Sequence, residues 1–322
     1  MPERFGSIEH VAARQLVVAR PSPRAIRERT ADPEIAAARR VDQPVADGYS
    51  LTHETERLRR LGRAAEVTKS SVAVQRAAID KLIAAQPVSA THKRAMTKQV
   101  RASIQIYTKR VADLPIGVSR FGGTPDLPPD HEWPRAFGKY PMTFIAQFDL
   151  AAIAKYEIDE RLPKRGLLSF FVHDWLPPKT KNVQCYEELA VIHLESVTGL
   201  ERKPVPKDVT RIFRPFGTAA LTFHTELELP GPYCGFDPVV DATYQARTTK
   251  RAPCSAGQLL GYDHHMGYSD ALTADTCSLL RCTSDKASEM NYGDAQEIAF
   301  RISLDDLKQR RFDRSMLWLQ AC

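Results

Sequence analysis

The sequence has little that would tie it to a membrane, a metal or a phosphate chain. No apolar run approaches the roughly 20 residues that span a bilayer. Residues 1–30 hold no apolar stretch of signal-peptide length, so a cytoplasmic protein is expected. Cysteine is scarce: Cys185, Cys234, Cys254, Cys277, Cys282 and Cys322 are the whole set. None stands in a C-x-x-C, and no histidine pair lies near Cys277 and Cys282 at zinc-finger spacing. Thiols in a reducing compartment are expected, in place of a disulfide framework. The chain lacks H-E-x-x-H and His-x-His, and the adjacent His264 and His265 would point to opposite faces of a strand, so no metal is assigned. It lacks G-x-x-x-x-G-K-[ST] and G-x-G-x-x-G, which removes the two common glycine cradles for phosphate. It lacks G-x-S-x-G, and with it the nucleophile elbow of the hydrolases. No catalytic residue and no cofactor is assigned, and a binding protein is expected before an enzyme.

What is present describes a folded chain. Hydrophobic residues make up 43% and charged residues 26% of 322, enough to bury a core and too apolar for wholesale disorder. The net charge of +6 is unevenly placed. Residues 1–120 carry 22 Lys and Arg against 12 Asp and Glu, and the remainder 23 against 27. A basic arm on a mildly acidic domain admits nucleic acid or an acidic partner. The arm has almost no aromatics on which bases would stack, which favours a solvated helical segment.

The pattern divides the chain in three. Residues 1–48 form an irregular Arg-, Ala- and Pro-rich extension. Residues 49–100 read as helical: Thr52–Val67, then Ser71–Gln86 stopped by Pro87, then a short helix capped by Ser89. From residue 101 to 322 strands dominate. Alternation begins at Ile104 and recurs in Thr143–Phe148, Leu167–Val172, Val183–Leu194, Ala219–Leu229, Gln258–Tyr262, Thr276–Thr283, Glu297–Ser303 and Met316–Ala321. In the clearest run, Leu221, Phe223, Thr225, Leu227 and Leu229 face a core, and Thr222, His224, Glu226 and Glu228 face water. Short helices are expected over Leu150–Tyr156 and Leu304–Arg311. The expected fold is a strand-rich α+β domain with mostly antiparallel sheets behind a basic helical segment. A pseudo-duplication is suggested by Phe144–Asp149 followed by Gly166–Phe171, against Ser278–Asp285 followed by Glu297–Ile302.

Several blocks in one order carry a resemblance. They are Ser119-Arg-Phe-Gly-Gly-Thr-Pro-Asp-Leu-Pro128, Glu132-Trp-Pro134, Met142–Leu150, Leu162–Phe171, Gln258-Leu-Leu-Gly-Tyr262, Tyr292-Gly-Asp294, and Phe312 with Leu319-Gln-Ala-Cys322. Together they resemble the YwqG-like family, a bacterial domain of unknown function, over residues 100–322. Tyr292 stands where that pattern has Trp, and Asp263-His264-His265 where it has Pro-x-x. The resemblance implies a mixed α+β domain in a bacterial protein. Related families include immunity proteins that sit beside toxins, which makes toxin neutralisation the most concrete form of the binding reading.

Within these blocks, Gly122-Gly123 before Pro125 predicts a turn with positive φ. Arg120 is expected to pair with a carboxylate such as Asp149 or Asp294, or to hold an anion. Gln147 and Asp149, two apart, share one face of a strand. Arg120, Gln147, Asp149 and Asp294 are therefore the candidates for a ligand pocket, the alternative reading as a small-ligand binder or enzyme. Trp133, Trp175 and Tyr292 are the candidate contacts for a protein partner. Nucleic-acid binding through the basic N-terminal segment is the second alternative.

Overall fold

The computed structural model describes residues 72–173, 189–208, 216–229, 255–262, 275–292 and 295–321. The expected extension 1–48, the expected helix Thr52–Val67, and Trp175, Asp263, His264, His265 and Asp294 lie outside the described residues, as do Cys185, Cys234, Cys254 and Cys322.

Among the described residues two helices come first, α1 over residues 72–84 and α2 over Ala90–Lys98. Ser89 caps α2, its hydroxyl accepting from the His92 amide at 3.3 Å. The apolar faces of the two helices bring Ile79, Ile83 and Met96 against Ala102, Leu227 and Leu229 of the sheet.

Fourteen strands follow among the described residues: β1 (Arg101–Arg110), β2 (Arg120–Phe121), β3 (Asp126–Leu127), β4 (Arg135–Ala136), β5 (Tyr140–Pro141), β6 (Thr143–Asp149), β7 (Leu167–Val172), β8 (Leu189–Leu194), β9 (Glu201–Arg202), β10 (Ala219–Glu228), β11 (Gly257–Leu260), β12 (Thr276–Thr283), β13 (Ala295–Ser303) and β14 (Met316–Ala321). Ten of them make one antiparallel sheet in the order β14-β13-β12-β11-β1-β10-β2-β6-β7-β8. Its centre is the β1·β10 pair, in register from Arg101↔Glu228 to Arg110↔Ala219. From that pair four strands run outward on each side in chain order, β2, β6, β7, β8 on one wing and β11, β12, β13, β14 on the other. Two matched wings about a central pair are what a pseudo-duplicated chain produces. The fold is strand-rich α+β.

The sheet coils upon itself. Phe170 on β7 and Phe300 on β13, which belong to opposite wings, meet with ring centroids 5.1 Å apart. Ile104, Ile106, Phe121, Phe148, Leu259, Leu280 and Ile298 fill the enclosed space. Each such side chain, fully buried, contributes about 1.5–3 kcal/mol. Where β2 is too short to pair further along β10, Gln75 of α1 substitutes for a strand: its amide donates to the Thr225 carbonyl at 3.0 Å and accepts from the Leu227 amide at 2.8 Å.

The helices after β6 and β13 are shorter than the sequence pattern predicts. They are α3 (Leu150–Ile153), capped by Asp149, and α4 (Leu304–Lys308), capped by Ser303. The expected water-facing side of Ala219–Leu229 is also only partly wet: Glu228 is buried. Alternation assigns a side chain to a face, and this part of the outer face lies beneath further chain. Among the described residues no helix is long and apolar enough to cross a membrane.

Candidate functional site

The Ser119–Pro128 block supplies β2 of the first wing and the short β3 beyond it. Arg120 on β2 and Gln147 on β6 are register partners, and Gln147 is in turn opposite Ser169 on β7. The turn between β2 and β3 is forced by its glycines. Gly122 and Gly123 adopt φ of 63° and 71°, and a Cβ on Gly122 would lie 2.3 Å from the Gly217 carbonyl. This turn aims Asp126 back at Arg120.

Asp126 is fully buried and Arg120 is 1% exposed. Their ion pair is bidentate, with Arg120 Nη1 2.8 Å from Oδ2 and Nη2 3.0 Å from Oδ1. Oδ2 also accepts from Gln147 Nε2 at 2.7 Å and from the Gly117 amide at 2.8 Å. Oδ1 also accepts from Arg202 Nε at 3.0 Å, across the β3·β9 pair. Gln147 closes the ring, accepting from the Asp126 amide at 3.0 Å and donating to the Val118 carbonyl at 2.9 Å. Arg202 continues outward to the Asp113 carboxylate and the Leu114 carbonyl.

Burial raises the Asp126 carboxyl, but hydrogen bonds from Arg120 and Arg202 and the Arg120 charge outweigh it and hold the group below its ordinary value. Five donors occupy its lone pairs. A carboxylate so held is a poor general base, because no lone pair faces a substrate, and a poor general acid, because it stays ionised. Arg120 Nε is buried without a hydrogen-bond partner, and the guanidinium carbon lies 5.8 Å from the Phe144 ring centroid. The cluster ties the segment at residues 113–118 to β2, β3, β6 and β9.

The partner of Arg120 is thus Asp126, where Asp149 was expected. Asp149 turns to α3, its Oδ1 accepting from the Ala151 and Ala152 amides at 3.0 and 3.4 Å. Arg120 and Gln147 are brought together, Asp149 stands apart from their network, and Asp294 lies outside the described residues. Asp126 was visible as the acid of the same block, six residues from Arg120, but an Asp in a Gly- and Pro-rich stretch reads as a turn former.

The second wing repeats the theme with different residues. Gln258 on β11 and Arg281 on β12 are register partners, and Arg281 Nη2 donates to Gln258 Oε1 at 2.9 Å. Beside them Glu228 accepts from Ser103 Oγ at 2.6 Å, Gln105 Nε2 at 3.3 Å, Gln258 Nε2 at 3.3 Å and the Tyr262 amide at 3.1 Å. Each wing therefore carries an Arg–Gln register pair beside a buried carboxylate, Asp126 for the first and Glu228 of the central β10 for the second.

A third group lies at the surface. The β4–β5 hairpin turns through Phe137 and Gly138, with φ of 51° and 66°, and the Lys139 amide donates to the Ala136 carbonyl at 2.9 Å. This is a β-turn from Ala136 to Lys139 with both central residues left-handed, within a three-residue connection between the paired Ala136 and Tyr140. Phe137 is 54% exposed. Its ring stands edge-on to His173 at 5.7 Å, and Tyr140 stacks on the same imidazole at 5.8 Å. Trp133, half-buried, donates from Nε1 to the Met142 carbonyl at 2.8 Å and meets Phe171 edge-on at 6.2 Å. Arg135 braces the hairpin through Asp208, at 2.6 and 3.2 Å. Of the sequence candidates for partner contact, Trp133 lies beside this hairpin and Trp175 lies outside the described residues. Tyr292 turns its hydroxyl inward to Met290 Sδ at 3.2 Å, and its ring packs on Phe216. The sequence reading missed Phe137 and Tyr140. The signal was the lone Gly138 within an aromatic and basic stretch.

Among the described residues no group of three or more His, Cys, Asp or Glu is placed to hold a metal ion. The thiol of Cys282 is buried and pushed far up by that burial, away from nucleophilic character. A family model described as a domain of unknown function, DUF1963, matches residues 119–322. No curated protein matches the chain.

Proposed function

The chain belongs to the DUF1963 family, and we propose that it acts as a protein-binding module, most concretely as a cytoplasmic bacterial immunity-type protein that neutralises a toxin by direct contact. The YwqG-like reading of its sequence blocks belongs to this proposal. The observation that carries it is the exposed Phe137, with the half-buried Trp133 and Tyr140 beside it and Arg135 and Lys139 flanking it. Exposed aromatics and arginine on a braced element are the residue types that dominate binding energy at protein interfaces. The Ser119–Pro128 block supports the same reading, since Arg120 and Asp126 spend their hydrogen bonds inside a buried network with Gln147, Arg202 and nearby backbone groups.

The test is co-purification of the tagged full chain from its native host, followed by co-expression with whatever protein binds in equal amount. A partner that arrests growth alone and is harmless beside this chain supports neutralisation. Turnover of a small substrate by the purified chain, with no stoichiometric partner, would sink the reading.

A further inference from the structure

The β4–β5 hairpin carries a conformational anomaly that the fold does not explain. A turn with two left-handed residues favours Asn-Gly or Asp-Gly, whose first side chain tolerates positive φ. Here the first position is Phe137 at φ 51°. A bulky residue in that region is uncommon and strained. Burial does not compensate, because the side chain is 54% exposed. A Cβ added to Gly138 would find nothing within 4 Å, so the second turn position has open space beside it.

The ring is nonetheless held. His173 abuts it edge-on, Tyr140 stacks on that imidazole with planes 10° apart, and Ala136 beside it is fully buried. The Arg135–Asp208 ion pair and the bond from Arg135 Nη1 to the Lys139 carbonyl at 2.8 Å fix the base. An exposed aromatic with its conformation set in advance loses little freedom on binding. Backbone strain that its surroundings hold in place clusters at sites used for recognition. The hairpin, Arg135 to Pro141, carries two basic residues and no acidic one; Arg135 is paired with Asp208, so Lys139 is the charge the hairpin offers outward.

We propose that Phe137 is the anchor of the partner interface, inserting into an apolar pocket on a foreign protein whose rim carries a carboxylate facing Lys139. This deepens the protein-binding reading and rests on it. Phe137→Asn is the decisive variant, because Asn suits the turn. Its unfolding midpoint should stay level or rise, whereas a packing role for Phe137 predicts a fall. Lys139→Glu probes the rim.

The experiment is parallel capture from host extract by full-length wild type, Phe137→Asn and Lys139→Glu, then titration of the purified captured protein. The expected result is affinity for Phe137→Asn about thirtyfold or more below wild type. Lys139→Glu should slow association several-fold, more at low salt. If wild type and Phe137→Asn bind the captured protein equally, the anchor is refuted while the binding module stands. If wild type captures nothing, the binding module falls and the anchor with it. A wild-type dimer in sedimentation that Phe137→Asn splits would make the occupant a second copy, overturning the assignment to a foreign partner.

Discussion

Replacing Asp126 with Ala tests whether the Arg120 cluster is scaffold or ligand site. The substitution leaves Arg120, 1% exposed, as a buried cation facing no counter-charge, and strands the Gly117 amide. Breaking a buried, hydrogen-bonded ion pair from one side costs about 3–5 kcal/mol. In a domain of this size each kcal/mol moves the thermal midpoint by about 2–4 °C, so a fall of roughly 6–20 °C is expected. Urea or thermal unfolding followed by far-UV circular dichroism measures it. The double variant Arg120→Met with Asp126→Leu removes both charges together, and it should cost markedly less than the sum of the two single changes. The acid limb gives a second check. The folded Asp126 carboxyl lies below its ordinary 3.8, so the native state sheds its proton more readily than the unfolded chain. The stabilisation is therefore complete above that ordinary value and is lost as pH falls through the depressed one. An Asp126→Ala chain within about 1 kcal/mol of wild type, or single changes that add without coupling, would refute the scaffold reasoning.

The Glu157 carboxyl is pushed up by burial against the opposing charge of Arg161; the native state then holds a proton that the unfolded chain has released, so stability falls as pH climbs from 4.5. Glu157→Gln should raise the midpoint at pH 7 and lose that advantage below pH 4.5, as read from midpoints across a pH series. Gly122→Ala meets the Gly217 carbonyl at 2.3 Å and should cost more than about 2 kcal/mol, whereas Gly138→Ala meets nothing and should cost only the left-handed penalty of about 1–2 kcal/mol; urea midpoints for the two variants separate steric from conformational strain. Cys282 should resist iodoacetamide in the native protein and label only in denaturant, with peptide mapping as the readout.

Long strands with one apolar face were legible in the sequence. Ala219–Leu229 shows its alternation directly, and β6, β7, β12, β13 and β14 emerge close to their expected bounds. The two-residue strands β2, β3, β4, β5 and β9 were not, because two residues cannot display a period. The same gap hid the site. Asp126 and Arg202 pair across β3·β9, and nothing local signals that residue 202 returns to residue 126. Arg120 and Gln147 were legible because they stand in distinctive blocks, while Glu228 was misread as solvated because alternation tells a side, not what covers it. Phe137 is marked in the sequence only by Gly138 after it, a weak signal because a Phe-Gly pair has no turn signature of its own.

The pairing of β1 with β10 has a consequence for how the chain is made. Every residue of the first wing lies between the two central strands in sequence, so Arg110 meets Ala219 only after more than a hundred residues have been threaded through. At a synthesis rate of about 5–20 residues per second, β1 leaves the ribosome roughly 6–24 s before the last of β10 exists to pair with it. During that interval β6, β7 and β8 can zip into hairpins, while Ile104 and Ile106 wait on a strand with neither neighbour. A nascent chain of this topology folds slowly and from the periphery inward. Its most vulnerable moment falls when one wing has closed and the middle of the sheet is still a single strand.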